Sequence, residues 1–335
     1  PETGLRLMVA LWRFTEIRAY YTEGLARAAD VLAIAGTEGF PELKCKLLSG
    51  AGMLAYRMAD FAHANNFFQE CLEIATSRND RVGMADALSG LGLVAMMRGS
   101  FPEAQAFQTQ CRDLEQLNNN PRNTAVATYN LGFIALGMGN NTDADSLLKE
   151  SLQQFESAQN GRESAFALNS LARCCIVSGD LGTANTYARR ALDIRRKLVD
   201  NKCVADSLRT LAWAALEEGH YQDALDQLKE GIVLARGVDD SRGVSEALEL
   251  FALISARREN RVCLVVLAAA AGHIRGPYGY ALPPVLIAER DGALAKAKEL
   301  LGEQEYSRAW TRGATLDMPE AIGEAIQTTV SSQGQ

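Results

Sequence analysis

A fixed step of 40 residues runs through most of this 335-residue chain and constrains its fold more than any other feature. One column at that step reads Leu48, Leu88, Thr128, Leu168, Leu208 and Leu248. Three places on stand Leu11, Ala51, Leu91, Leu131, Leu171, Leu211 and Phe251, followed by Trp12, Gly52, Gly92, Gly132, Ala172, Ala212 and Ala252. Further columns hold Ala55, Ala95, Ala135, Cys175 and Ala215, then Gly99, Gly139, Gly179 and Gly219, then Ala64, Ala104, Ala144, Ala184 and Ala224. Alanine is common enough here for one such column to be chance. Several coherent columns in a single frame are not.

Each column has a physical job. In the sixth unit Val204, Leu208, Leu211, Ala212 and Ala215 recur at helical spacing and make one apolar stripe. Gly219 supplies the left-handed residue that ends a helix. Tyr221, Ala224, Leu225, Leu228, Ile232 and Ala235 then form a second stripe. Small residues at 212 and 224 let the two backbones approach closely. Such a pair cannot bury both stripes alone, so it must stack on its neighbours.

These residues resemble the tetratricopeptide repeat. Leu131-Gly132 with Ala144 and Ser151, Leu91-Gly92 with Ala104 and Cys111, and Leu211-Ala212 with Ala224 and Gly231 follow its pattern. The departures are a repeat of 40 rather than the usual 34 and a missing closing proline. Longer second helices and longer turns between repeats are expected to absorb the difference, as at Asn118-Asn119-Asn120-Pro121 and Val238-Asp239-Asp240-Ser241. The resemblance implies an all-α, right-handed superhelical solenoid of about seven helix pairs, with units starting near residues 1, 41, 81, 121, 161, 201 and 241. The repeat array is expected over 1–260 and a C-terminal helical capping region over 261–335. In that tail, helices are predicted from Val262 to Ile274, Val285 to Leu301, Glu303 to Arg312 and Met318 to Ile326, with a loop at Gly276-Pro277-Tyr278-Gly279-Tyr280 and Leu282-Pro283-Pro284. Asp317 is the expected N-cap of the last helix, with Pro319 at its first position.

The tail carries a second resemblance. Ala268 to Arg275, Leu282-Pro283-Pro284, Leu301-Gly302, Ala309-Trp310 with Gly313, and Pro319-Glu320-Ala321 resemble the closing region of MalT-like bacterial STAND regulators. Those large proteins join a nucleotide-binding switch ATPase to tetratricopeptide repeats, often with a LuxR-type DNA-binding module. Gly4-Leu5-Arg6-Leu7 and Ala10-Leu11-Trp12-Arg13-Phe14 resemble the junction where their ATPase half gives way to repeats. The resemblance implies a sensor region of a transcriptional regulator, with the nucleotide-binding domain upstream in the same polypeptide.

Other function classes find little support. A net charge of −7 and a pI near 5.2 argue against direct nucleic-acid binding, which needs a concentrated basic footprint. No phosphate loop of the form G-x-x-x-x-G-K-[ST] occurs, and Gly90-Leu91-Gly92 and Gly50-Ala51-Gly52 read as packing glycines. His63, His220 and His273 stand alone, without a second metal ligand at helical spacing. No catalytic residue, metal or cofactor is expected, so the chain is read as a binding protein and not an enzyme. None of the seven cysteines stands in a C-x-x-C arrangement, and Cys71 and Cys111, 40 apart in one column, read as small buried thiols in a reducing compartment. The apolar run from Val262 to Ala271 is too short to span a bilayer, and the N-terminus shows no signal peptide. Pro1, without a methionine, reads as the start of a mature or excised fragment, and the expected location is the cytoplasm.

In this repeat class the first helix of each pair lines the concave face, which the resemblance implies and the spacing alone does not. Helix geometry then places one column, with Tyr129, Asn169 and Arg209, on that face. A neighbouring column holds Arg13, Phe133, Arg173 and Trp213, and a third contains Tyr56. These eight residues are the candidate binding set for a peptide, protein or small-molecule effector. Aromatics with arginines are the usual anchors of a binding patch, and two arginines could hold an anionic group. Two blander readings stay open: Phe133 and Trp213 as packing between repeats, and Arg173 and Arg209 as ordinary solvated or paired arginines. A free-standing scaffold joining two proteins is the alternative function.

Overall fold

From residue 41 to residue 261 a new helix begins every 20 residues, and most of these helices are 17 residues long. A computed structural model describes residues 1–18, 20–34, 36–278, 282 and 284–330. The helices are α1 (Glu2–Ile17), α2 (Tyr21–Leu32), α3 (Pro41–Arg57), α4 (Phe61–Ser77), α5 (Arg81–Met97) and α6 (Phe101–Leu117). They continue as α7 (Pro121–Gly137), α8 (Asn141–Ser157), α9 (Gly161–Ser178), α10 (Leu181–Lys197), α11 (Asn201–Glu217) and α12 (Tyr221–Gly237). The last five are α13 (Ser241–Arg257), α14 (Arg261–Arg275), α15 (Pro284–Leu301), α16 (Glu303–Ala314) and α17 (Met318–Val330). The described residues contain no strand.

Capping chemistry sets this rhythm. Asp60, Asp80, Asp200 and Asn260 accept the backbone N–H of His63, Gly83, Cys203 and Cys263 at 3.1–3.2 Å, which satisfies a first-turn donor that the helix leaves orphaned. At the other end, Gly219 takes φ 78° and lets the His220 N–H reach back to the Ala215 carbonyl at 2.8 Å. In the turns between pairs the same left-handed place is held by Asn79, Asn119, Gln159, Val199 and Asp239, with φ between 52° and 55°. The longer inter-repeat turns expected at 118–121 and 238–241 are therefore not found. Both kinds of turn use three residues, or two at Gly179-Asp180, because a left-handed residue closes each helix in the same way.

Val199 is the misfit among them. It is β-branched, 78 % exposed and held at φ 55°, a conformation that costs an L-residue roughly 1–2 kcal/mol. Val199→Asn should raise stability by about 1 kcal/mol, since asparagine tolerates this conformation and serves in the equivalent turns. A urea midpoint that stays put or falls would contradict this.

The chain divides into two compact units, 1–134 and 135–335. In the first, α1 packs with α2, α3 with α4 and α5 with α6. Gly52 lies under the Phe68 ring, where an added Cβ would meet ring carbon at 2.8 Å. Gly92 lies under Gln108 in the same manner, so these are packing glycines. In the second unit α9 pairs with α10, α11 with α12 and α13 with α14. The change expected at 260/261 thus falls in the turn inside a seventh helix pair, and the departure from the pairing begins at α15. Helices α15, α16 and α17 lie on α13 and α14 and bury Leu286, Leu294, Ala309, Ala321 and Ile322 in one cluster with Phe251, Leu253 and Val266. Of the loop expected before α15, Gly279, Tyr280 and Pro283 lie outside the described residues. All seven cysteines are free thiols. No helix among the described residues is long and apolar enough to cross a membrane.

Candidate binding face

The first unit presents its candidates in separate places. Arg13 is exposed, with its guanidinium 5.0 Å from the centre of the Trp12 ring. Tyr56 is half-buried and its ring lies 6.0 Å from that of Phe61. Tyr129 and Phe133, one turn apart on α7, are both half-buried with ring centres 6.5 Å apart.

In the second unit three candidates converge on a residue that none of the columns had singled out. The carboxylate of Asp206 accepts from Arg173 Nη2 at 2.5 Å and Arg209 Nη2 at 3.0 Å on one oxygen. Its other oxygen accepts from Asn169 Nδ2 at 2.8 Å and Arg195 Nη1 at 3.1 Å. Arg209 also reaches Glu246 at 3.2 Å, and Glu246 accepts from Arg242 Nε at 2.7 Å. Helices α9, α10, α11 and α13 are thereby tied by one charged cluster. Arg209 is only 6 % exposed and Asn169 3 %. Trp213, at 5 %, sits in the core cluster with Leu216 and Leu253.

Local packing explains how so large a side chain reaches this depth. Arg209 lies against the first turn of α13 at Gly243, where a Cβ would come within 2.9 Å of Nη1 and would also overlap the Asp240 carboxylate. Arg195 arrives from the last turn of α10. Its Nη1 donates to the Cys203 carbonyl at 2.9 Å and to Ser207 Oγ at 2.7 Å, with its guanidinium 5.2 Å from the Phe166 ring centre.

The electrostatics follow from this geometry. Burial alone would raise the pKa of Asp206, but Arg173, Arg195, Arg209 and Arg242 reverse that and hold it well below the usual carboxylate range. Burial likewise pushes Glu246 up, and Arg242, Arg209 and Arg173 bring it down to about 2. A carboxyl whose folded pKa is depressed contributes stability above its unfolded value, about 4.3 for Glu, and that contribution is lost as pH falls toward the folded value. The second unit should hold its stability from neutral pH to about 5 and lose it between about 4 and 2. Glu246→Gln should flatten part of that fall. A urea midpoint with the same pH profile in both proteins would contradict this assignment.

A second charged knot closes the last repeat. Glu249 on α13 accepts from Arg275 at 2.8 Å and from Arg290 of α15 at 3.1 Å, and Arg257 pairs with Glu289 of α15. Thus α15 lies on the face of α13 that carries the candidate columns.

Sequence reasoning found Asn169, Arg173 and Arg209 but missed Asp206, Glu246, Arg195 and Arg242. A signal existed for two of them. Asp206 and Glu246 are 40 apart and each stands three residues before a residue of the candidate column.

The sequence model of the tetratricopeptide repeat matches residues 83–157, 123–197 and 163–236. These helix pairs are tetratricopeptide repeats. Solved structures with similar repeat folds include a Rap protein complexed with competence and sporulation factor, at TM-score 0.65 and 12 % identity, covering 99 % of each chain. The quorum sensor NprR from B. thuringiensis, in its apo form, aligns at TM-score 0.59 and 12 % identity over 98 % of this chain and 86 % of its own. Aspartyl phosphate phosphatase F from Bacillus subtilis aligns at TM-score 0.56 and 13 % identity, over 95 % of this chain and 87 % of its own. No curated protein sequence matches the chain. At such identities the likeness is one of fold. Tetratricopeptide arrays are in general scaffolds for interaction, since stacked helix pairs expose an extended surface.

Proposed function

We propose that this tetratricopeptide array is the effector-sensing part of a STAND-type signalling regulator of the LuxR-linked kind. An effector binds the first-helix face, and the difference in its affinity for two conformations sets the state of a nucleotide-binding switch in the same cytoplasmic polypeptide. The observation that carries this reading is the repeat array itself, flanked by the opening motif around Ala10-Leu11-Trp12-Arg13-Phe14 and the closing motifs from Ala268 to Ala321. A Rap protein of similar fold is complexed with competence and sporulation factor, and the similar Rap conjugation gene regulator of the plasmid pLS20 with the Phr* peptide, which supports a peptide as the effector class. The test has two parts. A nucleotide-binding domain encoded upstream of Pro1 is expected, and a gene lacking one removes the switch from the proposal. Candidate peptides titrated against the chain should change tryptophan emission saturably.

A second reading, a free-standing scaffold that joins two proteins, is favoured by one observation. Asn169, Arg209 and Trp213 are already engaged within the fold. It predicts capture of a protein partner that Arg173→Gln does not weaken.

A further inference from the structure

We infer that the outer face of α1 seats a further helix pair, supplied by the polypeptide ahead of Pro1 and stacked on α1 as the α1–α2 pair is stacked on α3. The inference shares with the proposed function only the premise that the polypeptide continues upstream.

An exposed apolar stripe is the first ground. Leu7, Leu11 and Phe14 follow one another along α1 and are 57 %, 40 % and 55 % exposed. Ala10 between them is exposed as well, so the spacing of one helix face is apolar and open to water. The Tyr20 ring, 6.4 Å from that of Phe14, extends the stripe. A contiguous apolar patch marks an interaction site, and a repeat array that ends in solvent carries a polar outer face instead. The other face of α1 is already used, with Leu5 and Met8 buried against Leu47 and Ala51 of α3.

The second ground is what covers the same positions 40 and 80 residues further on, within the same compact unit. Leu47, Ala51 and Leu54 on α3, and Ala87, Leu91 and Val94 on α5, are 0–2 % exposed. In each case the preceding helix pair buries them. Leu47 and Ala51 cluster with Leu5 and Met8 of α1 and with Ala28 of α2. Ala87 clusters with Cys45 and Leu48 of α3 and with Cys71 and Ala75 of α4. Leu54, the counterpart of Phe14, lies on Gly24 of α2, where an added Cβ would come within 3.1 Å of its Cδ1. This face therefore meets one kind of occupant at α3 and α5: two helices, with a small residue beneath a large side chain. The face of α1 continues that interface by the same spacing. A second copy is a poorer match. Stacked head to tail it would have to offer the α13–α14 pair, which α15, α16 and α17 already cover.

Hydroxyl-radical footprinting read by mass spectrometry tests this on two proteins, the chain from Pro1 and the same chain extended upstream by two repeat lengths of its natural sequence. Oxidation of Leu7, Leu11 and Phe14 is expected to slow about fivefold in the longer protein, as side chains pass from half exposed to the dry centre of an interface. Leu117, 62 % exposed on α6, should react equally in both. Phe14→Ser should leave the circular dichroism of the chain from Pro1 unchanged and, in the longer protein, restore fast oxidation of Leu7 and Leu11. Equal oxidation of the three residues in both proteins overturns the inference, as does a coding sequence that begins at Pro1. Protection that disappears on dilution, together with a dimer in light scattering, names a second copy as the occupant and also overturns it. If a nucleotide-binding domain lies upstream while Leu7, Leu11 and Phe14 stay open, the inference falls and the sensor reading stands. If the three are protected and no such domain is encoded, the inference stands and the sensor reading falls.

Discussion

Asp206→Ala lowers the stability of the second unit by about 3–5 kcal/mol, the cost of removing one partner from a buried ion cluster. The substitution takes away a single carboxylate, yet it leaves Arg173, Arg195 and Arg209 without their shared counterion. Arg195 and Arg209 are buried and cannot swing out to water without opening the packing of α10 and α11. Glu246 can compensate only one of them, because its oxygens already meet Arg209 and Arg242. The contrast that decides the matter is Glu230→Ala. It removes an equally short contact, 2.7 Å to Arg196, but both side chains are about half exposed, so its loss should cost less than about 1 kcal/mol. Urea denaturation followed by circular dichroism, with hydrogen exchange mapped onto α9, α10 and α11, reads both effects. Equal losses in the two variants would mean that solvent screens Asp206 as it screens the surface pair.

Gly313→Ala should undock the C-terminal helices. Gly313 faces α14 so closely that an added Cβ would overlap the carbonyl oxygen of Val266 and press on the Ala269 side chain. A flexible side chain could turn away, but a helix carbonyl cannot, so α16 must shift as a body. Overpacking of this kind costs about 1–3 kcal/mol, and here that cost falls on a small interface in which Ala309 and Ile322 are also buried. Faster hydrogen exchange and earlier proteolysis over α15–α17, with α9–α12 unchanged, are the expected outcome. Gly323→Ala is the control, since nothing lies within 4 Å of a Cβ built there. Unaltered protection of α16 in Gly313→Ala would show that the two helices can separate at no cost.

These two sites also mark where reading from sequence stops. The small residues at 52, 92, 212 and 224 belong to regular columns, so their role in close helix contact was legible from periodicity alone. Gly313 belongs to no column. The need for glycine there arises from where α16 lands on α14, which no local pattern encodes. The candidate face shows the same division. Periodicity placed Asn169, Arg173 and Arg209 on one helix face, and in the structure they meet at one carboxylate. It could not foresee Arg195, because that side chain comes from a second helix and crosses to the face through the packing of α10 against α11. Nor could it foresee that Trp213 is covered, because the cluster around it includes Leu286 and Leu294 from α15, far along the chain.

The sequence by itself determined the helix pairs and their register. Capping residues every 20 positions and apolar stripes at helical spacing are local devices, effective over a few residues and visible in one dimension. Tertiary structure alone decided which charges are buried and which are paired. Those outcomes depend on distances between side chains tens of residues apart and on the water that packing excludes, and the chain records neither in its order.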